Sequence, residues 1–188
     1  MSKITIIVAL SLLCLVFFLF EIVEAQIFPD ADLRKIERYP INFKKVESNY
    51  YRSGIIQKRD YASLTKLGIK TIIDLRMDLF GYAKKEKLMA DSLGIKYFNI
   101  PMNPFLPPNE EQIKKFFSIM DDENNLPILI HCLHGQDRTG IMVALHRVRN
   151  NHWNYAHTYK EMLNNGYHLY KYPKLKQFLK KYASENSF

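Results

Sequence analysis

Ten consecutive residues constrain this chain more than any others: His131-Cys132-Leu133-His134-Gly135-Gln136-Asp137-Arg138-Thr139-Gly140. They lie between an apolar run and a helical one. The preceding Pro127-Ile128-Leu129-Ile130-His131 has the composition of a short buried strand. The following Arg138 to Asn150 carries Ile141, Ala144, Leu145 and Val148 at helical spacing. A strand that turns straight into a helix needs a tight connection, and Gly135 supplies the backbone freedom for it. In open α/β sheets ligands bind beyond the carboxyl ends of strands, and anions bind at the N-terminus of the helix that follows.

The rest of the chain repeats that grammar. Tyr50-Tyr51-Arg52-Ser53 reads as a strand ended by Gly54, and Lys58 to Leu67 as a helix stopped by Gly68. Ile69 to Leu75 is a β-branched run and hence a buried strand. Lys84 to Leu93 reads as a helix closed by Gly94, and Ile95 to Ile100 as the next strand. Met102 to Pro108 is a proline-rich loop. Asn109 then caps a helix to about Met120, with Glu110 and Glu111 in its first turn. Two further helices are expected at about Tyr155–Asn164 and Pro173–Tyr182. Residues 26–48 read as an irregular lead-in with one short strand. Strands alternating with helices predict an α/β fold: a three-layer sandwich with a mainly parallel central sheet flanked by helices.

The residue types in the ten-residue segment share one chemistry. Cys132 is a nucleophile at a strand end. The amides of Leu133, His134, Gly135, Gln136, Asp137 and Arg138 can curl around one tetrahedral anion as a nest. Arg138 can return to the mouth of the loop and grip two oxygens in a bidentate fork. The same amides and the helix dipole favour the thiolate. Thr139 can donate a hydrogen bond to it. His, Cys, Gly, Arg, Thr and Gly falling together by chance is on the order of one in ten thousand or rarer at average residue usage. The group His131, Cys132, His134 and Asp137 fits no zinc spacing, so neither a metal nor another cofactor is expected.

His131-Cys132-x-x-Gly135-x-x-Arg138-Thr139-Gly140 resembles the signature loop of cysteine-dependent protein tyrosine and dual-specificity phosphatases. Tyr51-Arg52-Ser53-Gly54, Leu67 to Arg76 and Tyr97 to Met102 resemble segments of its small bacterial, often exported, branch. The resemblance covers roughly residues 48–165. It implies attack by Cys132 on phosphorus, a cysteinyl-phosphate, and hydrolysis of that intermediate by water. It gives His131 the task of orienting the loop and tuning the thiolate. The implied substrate is a phosphorylated protein or a small phosphomonoester, with phosphotyrosine or phosphoserine/threonine in proteins as the leading expectation. A phosphoinositide or inositol-phosphate phosphatase is the alternative, and a non-catalytic phosphate-binding pseudophosphatase is the second.

The resemblance has one departure. Such enzymes carry a general-acid Asp on the loop that corresponds to Met102–Pro108, and no carboxylate stands there. Asn103 cannot donate a proton as an acid can. Asp137 is the first substitute, because myotubularin-like and Sac-like lipid phosphatases resemble this loop in having Asp before the arginine. For Asp137 two roles stay open, general acid and structural tether, and Glu110 ranks behind it. Leu133 and Gln136 are neutral where lipid-directed relatives carry lysines, which weighs against a polyanionic substrate. Arg52 and Arg76 both read as ordinary ion-pair residues, and Arg76, at a strand's carboxyl end, can alternatively line the site.

The N-terminus adds a location. Ile4 to Phe20 is apolar or small throughout, after Lys3, and Val23-Glu24-Ala25 offers small or branched residues before Gln26. The expectation is a signal peptide over residues 1–25, with residues 26–188 as a single domain that is exported, periplasmic or secreted. A retained N-terminal anchor facing outward is the alternative, and only then is a membrane involved. The cysteines are Cys14 and Cys132, so cleavage leaves one thiol and no disulfide. Net charge is +8 and hydrophobic residues make up 47%, which suits a globular protein with an anionic substrate. Arginines and aromatics do not interleave in a stripe, so nucleic acid is not an expected partner.

Overall fold

A computed structural model describes residues 39–186. The expected export segment, residues 1–25, lies outside them. Five strands form one sheet in the order β1-β2-β5-β3-β4. They are β1 Lys44–Glu47, β2 Tyr50–Ser53, β3 Thr71–Asp74, β4 Lys96–Asn99 and β5 Ile128–His131. Only β1 runs antiparallel, against β2, while β2, β5, β3 and β4 are parallel neighbours. The helices are α1 Tyr61–Lys66, α2 Tyr82–Ser92, α3 Glu110–Met120, α4 Asp137–Asn151, α5 Tyr155–Asn164 and α6 Pro173–Glu185. No helix among the described residues is long and apolar enough to cross a membrane.

Strand alternation assigns the helices to the two faces. Ile72 and Leu129 pack with Tyr61, Leu64 and Ala90, which belong to α1 and α2. Their chain neighbours Ile73, Ile128 and Ile130 point the other way, into Phe116, Met120, Ile141, Leu145, Met162, Leu175 and Leu179 of α3 to α6. Because both faces are covered, β3 and β5 are buried at every position. The expected three-layer α/β sandwich is the fold.

Sequence boundaries shift where hydrogen bonds decide them. The expected helix from Lys58 begins as a turn of 3₁₀ over Lys58–Asp60, with Asp60 accepting from the Gln57 amide at 2.7 Å, and becomes α-helical at Tyr61. The β-branched run from Ile69 pairs as strand only from Thr71, since Ile69 N–H still closes α1 onto Leu64 O. The Asn109 cap is as expected: its side chain accepts from Gln112 N at 2.8 Å, and Gln112 returns the contact. The sheet brings the carboxyl ends of β2, β5 and β3 side by side, with Ser53, His131 and Asp74 in register. The site is built on that edge.

Candidate active site

Cys132 follows the last residue of β5 and is 2% exposed. The chain then turns through residues 133–136 and enters α4 at Asp137. Gly135 adopts φ +73, and a Cβ there would stand 2.5 Å from the backbone of Ser53 and Gly54. Only glycine lets the loop lie this close to the end of β2. Three further contacts hold the loop down. Arg52 Nη2, buried beneath it, donates to Gly135 O at 2.8 Å. Ile55 N–H donates to Leu133 O at 3.0 Å, and Asn42 Nδ2 donates to His134 O at 2.8 Å.

The sulfur sits among donors. Gly135 N–H donates to Cys132 Sγ at 3.2 Å. Burial pushes the Cys132 thiol up, but the Thr139 hydroxyl, the Arg138 charge and the amides of Thr139 and Gly135 outweigh it. The thiol pKa therefore falls below its ordinary value. Thr139 Oγ1 is buried and has no oxygen or nitrogen partner, which leaves its proton for the sulfur. Arg138 is half-buried, and its Nη1 reaches Leu75 O at 3.4 Å across the mouth of the loop. Leu133 and His134 are exposed on the rim, and Gln136 is half-buried.

Beneath the loop is a buried charge network. His131, fully buried, has Nδ1 3.3 Å from Cys132 O and Nε2 2.9 Å from Glu86 Oε1. The second contact is an ion pair too bent for a regular hydrogen bond. Arg76 joins Asp74 through Nη2 at 2.7 Å and also binds Glu86. Tyr97 donates to Asp74 Oδ2 at 2.6 Å. Burial disfavours the charge on His131, but Glu86 and Asp74 prevail and raise its pKa. Asp74 is lowered, because His131, Arg76 and Tyr97 outweigh its own burial. Asp74, Glu86 and His131 bring ligand atoms within 4.8 Å of one another, the spacing of a metal cluster. The Arg76 guanidinium already binds both carboxylates, so a cation there would have to displace it.

Asp137 faces away from open solvent, at 7% exposure. Its Oδ1 accepts from His168 N–H at 2.8 Å, and its Oδ2 lies 2.9 Å from His168 Nδ1. Both oxygens are thus engaged by the segment between α5 and α6. Asn103 is occupied locally, accepting from Phe105 N–H at 2.9 Å, and Glu110 is exposed in the first turn of α3. Sequence reading named His131, Cys132, Gly135, Asp137, Arg138 and Thr139, and the structure gathers them at the turn from β5 into α4. It read Arg52 as an ordinary ion-pair residue, and the correction is that this side chain holds the loop from below. It also overlooked Glu86 and His168. Glu86 contacts His131 across 45 positions of chain and His168 contacts Asp137 across 31, and no local pattern marks such pairs.

Comparison with known proteins agrees with this geometry. Residues 31–175 match the family model "DSP-PTPase phosphatase fused to NAD+ kinase". The inositol diphosphatase DSP4 of Arabidopsis thaliana is 32% identical over 109 residues, 56% of this chain and 54% of the relative. The chain spans about half the length of the curated inositol diphosphatases it matches. The catalytic core of the PP-IP phosphatase SIW14 from S. cerevisiae superposes with a TM-score of 0.66 at 26% identity, covering 77% of this chain and 87% of that one. TpbA of P. aeruginosa shares the fold, with a TM-score of 0.64 at 19% identity over 79% of this chain and 92% of that one.

Proposed function

The chain belongs to the family of DSP-PTPase phosphatases fused to NAD+ kinase and is a cysteine-dependent hydrolase, and from that premise we propose that it cleaves the terminal phosphate from a diphosphate group on a phosphorylated inositol. In the first step the Cys132 thiolate attacks the terminal phosphorus. An S–P bond forms, the anhydride P–O bond breaks, and its electron pair leaves on the remaining phosphate. Arg138 and the loop amides hold the equatorial oxygens. In the second step water attacks the phosphorus, the S–P bond breaks, and inorganic phosphate leaves with the thiolate restored. Thr139 stabilises that thiolate as it departs.

The observation that carries this reading is the missing acid. Residues 101–109 contain no carboxylate, and the Asp137 carboxylate is bound on both oxygens by His168. A leaving group must then depart without a proton. A phosphate monoester, with a second pKa of about 6, does so readily. A phenol at about 10 does so less well. An alcohol, close in basicity to water at about 15.7, does so badly. The similarity to an inositol diphosphatase and to a PP-IP phosphatase supports the same substrate class. Asp137 is accordingly assigned as the tether of the loop and Cys132 and Arg138 as the catalytic pair.

A phosphotyrosyl protein is the second reading, favoured by exposed apolar side chains beyond the carboxyl ends of β3 and β4. Leu79, Phe80 and Tyr82 follow β3, and Phe105 and Leu106 follow β4. The deciding experiment is phosphate release by the full chain from a diphosphoinositol polyphosphate, a phosphotyrosyl peptide and a phosphoseryl peptide, with Cys132→Ser as control. The expected order of kcat/KM is diphosphate, then phosphotyrosine, then phosphoserine. A phosphotyrosyl peptide turned over faster than the diphosphate would overturn the proposal.

A further inference from the structure

Two neutral residues in the phosphate loop, Leu133 and Gln136, pose a problem for a substrate with several phosphates. One phosphate sits over Cys132, and the others need cations from elsewhere. The fold places such cations in a separate cavity of about 220 Å³ next to the loop. One wall is a single stripe of α2, formed by Tyr82, Lys85, Glu86 and Met89 at helical spacing. The facing wall comes from the segment after β2, with Ile55, Lys58 and Tyr61, and Arg76 closes the end.

The cavity shares its walls with the catalytic loop. Ile55 N–H donates to Leu133 O at 3.0 Å. Arg76 follows Leu75, whose carbonyl receives Arg138 Nη1 at 3.4 Å. Glu86 contacts His131. The charge in the cavity favours an anion. The Glu86 carboxylate is already engaged by Arg76 and His131. Neither Lys58 nor Lys85 is paired with a carboxylate among the described residues, and Lys85 Nζ rests 5.9 Å from the centre of the Tyr82 ring. Tyr61, whose side chain is buried, completes this wall.

We infer that this cavity is a second anion subsite, in which Lys58 and Lys85 take a non-reacting phosphate of the substrate while its diphosphate lies over Cys132. The inference rests on the proposed inositol diphosphate activity and assigns its specificity to residues outside the phosphate loop. Charge-assisted contacts of this kind separate a polyphosphorylated ring from a lone phosphate ester, which reaches the loop but not the second cavity.

Two arms test it, both on the full chain with the double variant Lys58→Gln/Lys85→Gln. In the kinetic arm, kcat/KM is measured for a diphosphoinositol polyphosphate and for p-nitrophenyl phosphate. The ratio of the two values is expected to fall about tenfold, through KM of the inositol substrate, and an unchanged ratio overturns the subsite. In the binding arm, inositol hexakisphosphate and inorganic phosphate are titrated separately into Cys132→Ser, with and without the lysine substitutions, and followed by amide chemical shifts. Shifts over residues 55–61 and 82–89 with the inositol ligand, lost in the lysine variant, support the subsite. No shift there overturns it. Equal shifts at equal concentration of inorganic phosphate show a site for free phosphate and overturn its role in substrate recognition. The binding arm needs no turnover, so an enzyme inactive on diphosphoinositol sinks the proposed function without deciding the subsite by default.

Discussion

Cys132 reacts as a thiolate, so the acidity of its sulfur sets the acidic limb of the pH–rate profile. That acidity is the outcome of a contest in which burial opposes ionisation and Thr139, Arg138 and the amides prevail. Thr139→Val removes one donor while keeping the shape of the side chain. Alkylation by iodoacetamide should then lose its reactivity at lower pH, with the limb displaced upward and the rate at acidic pH down about three- to tenfold, the value of one hydrogen bond of about 1 kcal/mol. A limb that stays in place would remove Thr139 from the account. Asp137 gives the second prediction at this scale. As a tether it holds His168 rather than a proton for the leaving group. Asp137→Asn should therefore slow aryl and alkyl phosphates by the same factor and lower stability by about 1–3 kcal/mol. Selective slowing of the alkyl ester would restore the general acid. The ambiguity was visible in the sequence, where Asp137 stands before Arg138, but the partner that bears on it arrives from a distant loop.

Elements set where these residues stand. The loop fits because β2 ends beside β5 and Gly135 crosses its backbone closely. Gly135→Ala puts a Cβ into that contact at a left-handed φ, and should cost about 1–3 kcal/mol or more in urea denaturation along with most activity. Full activity in that variant would mean that the loop is not anchored to β2. The junction of β3, β5 and α2 carries a pH dependence of stability. His131 is raised in the folded chain, so its contribution is complete below its unfolded value of about 6.5 and is lost as pH rises through the folded value. Asp74 is lowered, so its contribution is present above about 3.9 and is lost as pH falls through the folded value. The network is strongest between those limits. His131→Gln should destabilise by about 3 kcal/mol near pH 6, and by less as pH rises. A penalty that grows with pH would mean that His131 is buried neutral.

At the scale of the described residues as a whole, the phosphate loop and the lysine-lined cavity both draw on segments that follow the carboxyl ends of β2, β5 and β3. Phe116 belongs to the opposite role. It is fully buried against the sheet, so Phe116→Ala should cost about 3–5 kcal/mol while KM for an aryl phosphate is unchanged. Thermal denaturation and steady-state kinetics on the same preparation check both halves of that statement. Export of the mature chain from Gln26 remains a proposal carried by the apolar run Ile4–Phe20, and N-terminal sequencing of protein recovered from the cell exterior tests it.

The sequence by itself determined whatever depends on neighbours along the chain. The alternation of strands and helices, the helix cap at Asn109, and the cysteine, glycine and arginine of one loop are spaced within a few residues, so backbone geometry relates them directly. The tertiary structure decided what depends on residues far apart meeting. Sheet pairing and helix docking together set Arg52 under Gly135, Glu86 against His131, His168 on Asp137, and Lys58 and Lys85 on one cavity. Such contacts follow from the register of β2, β5 and β3 and from which face α2 presents. Short-range propensity carries no record of either, because strand pairing and helix docking are settled by packing across the core.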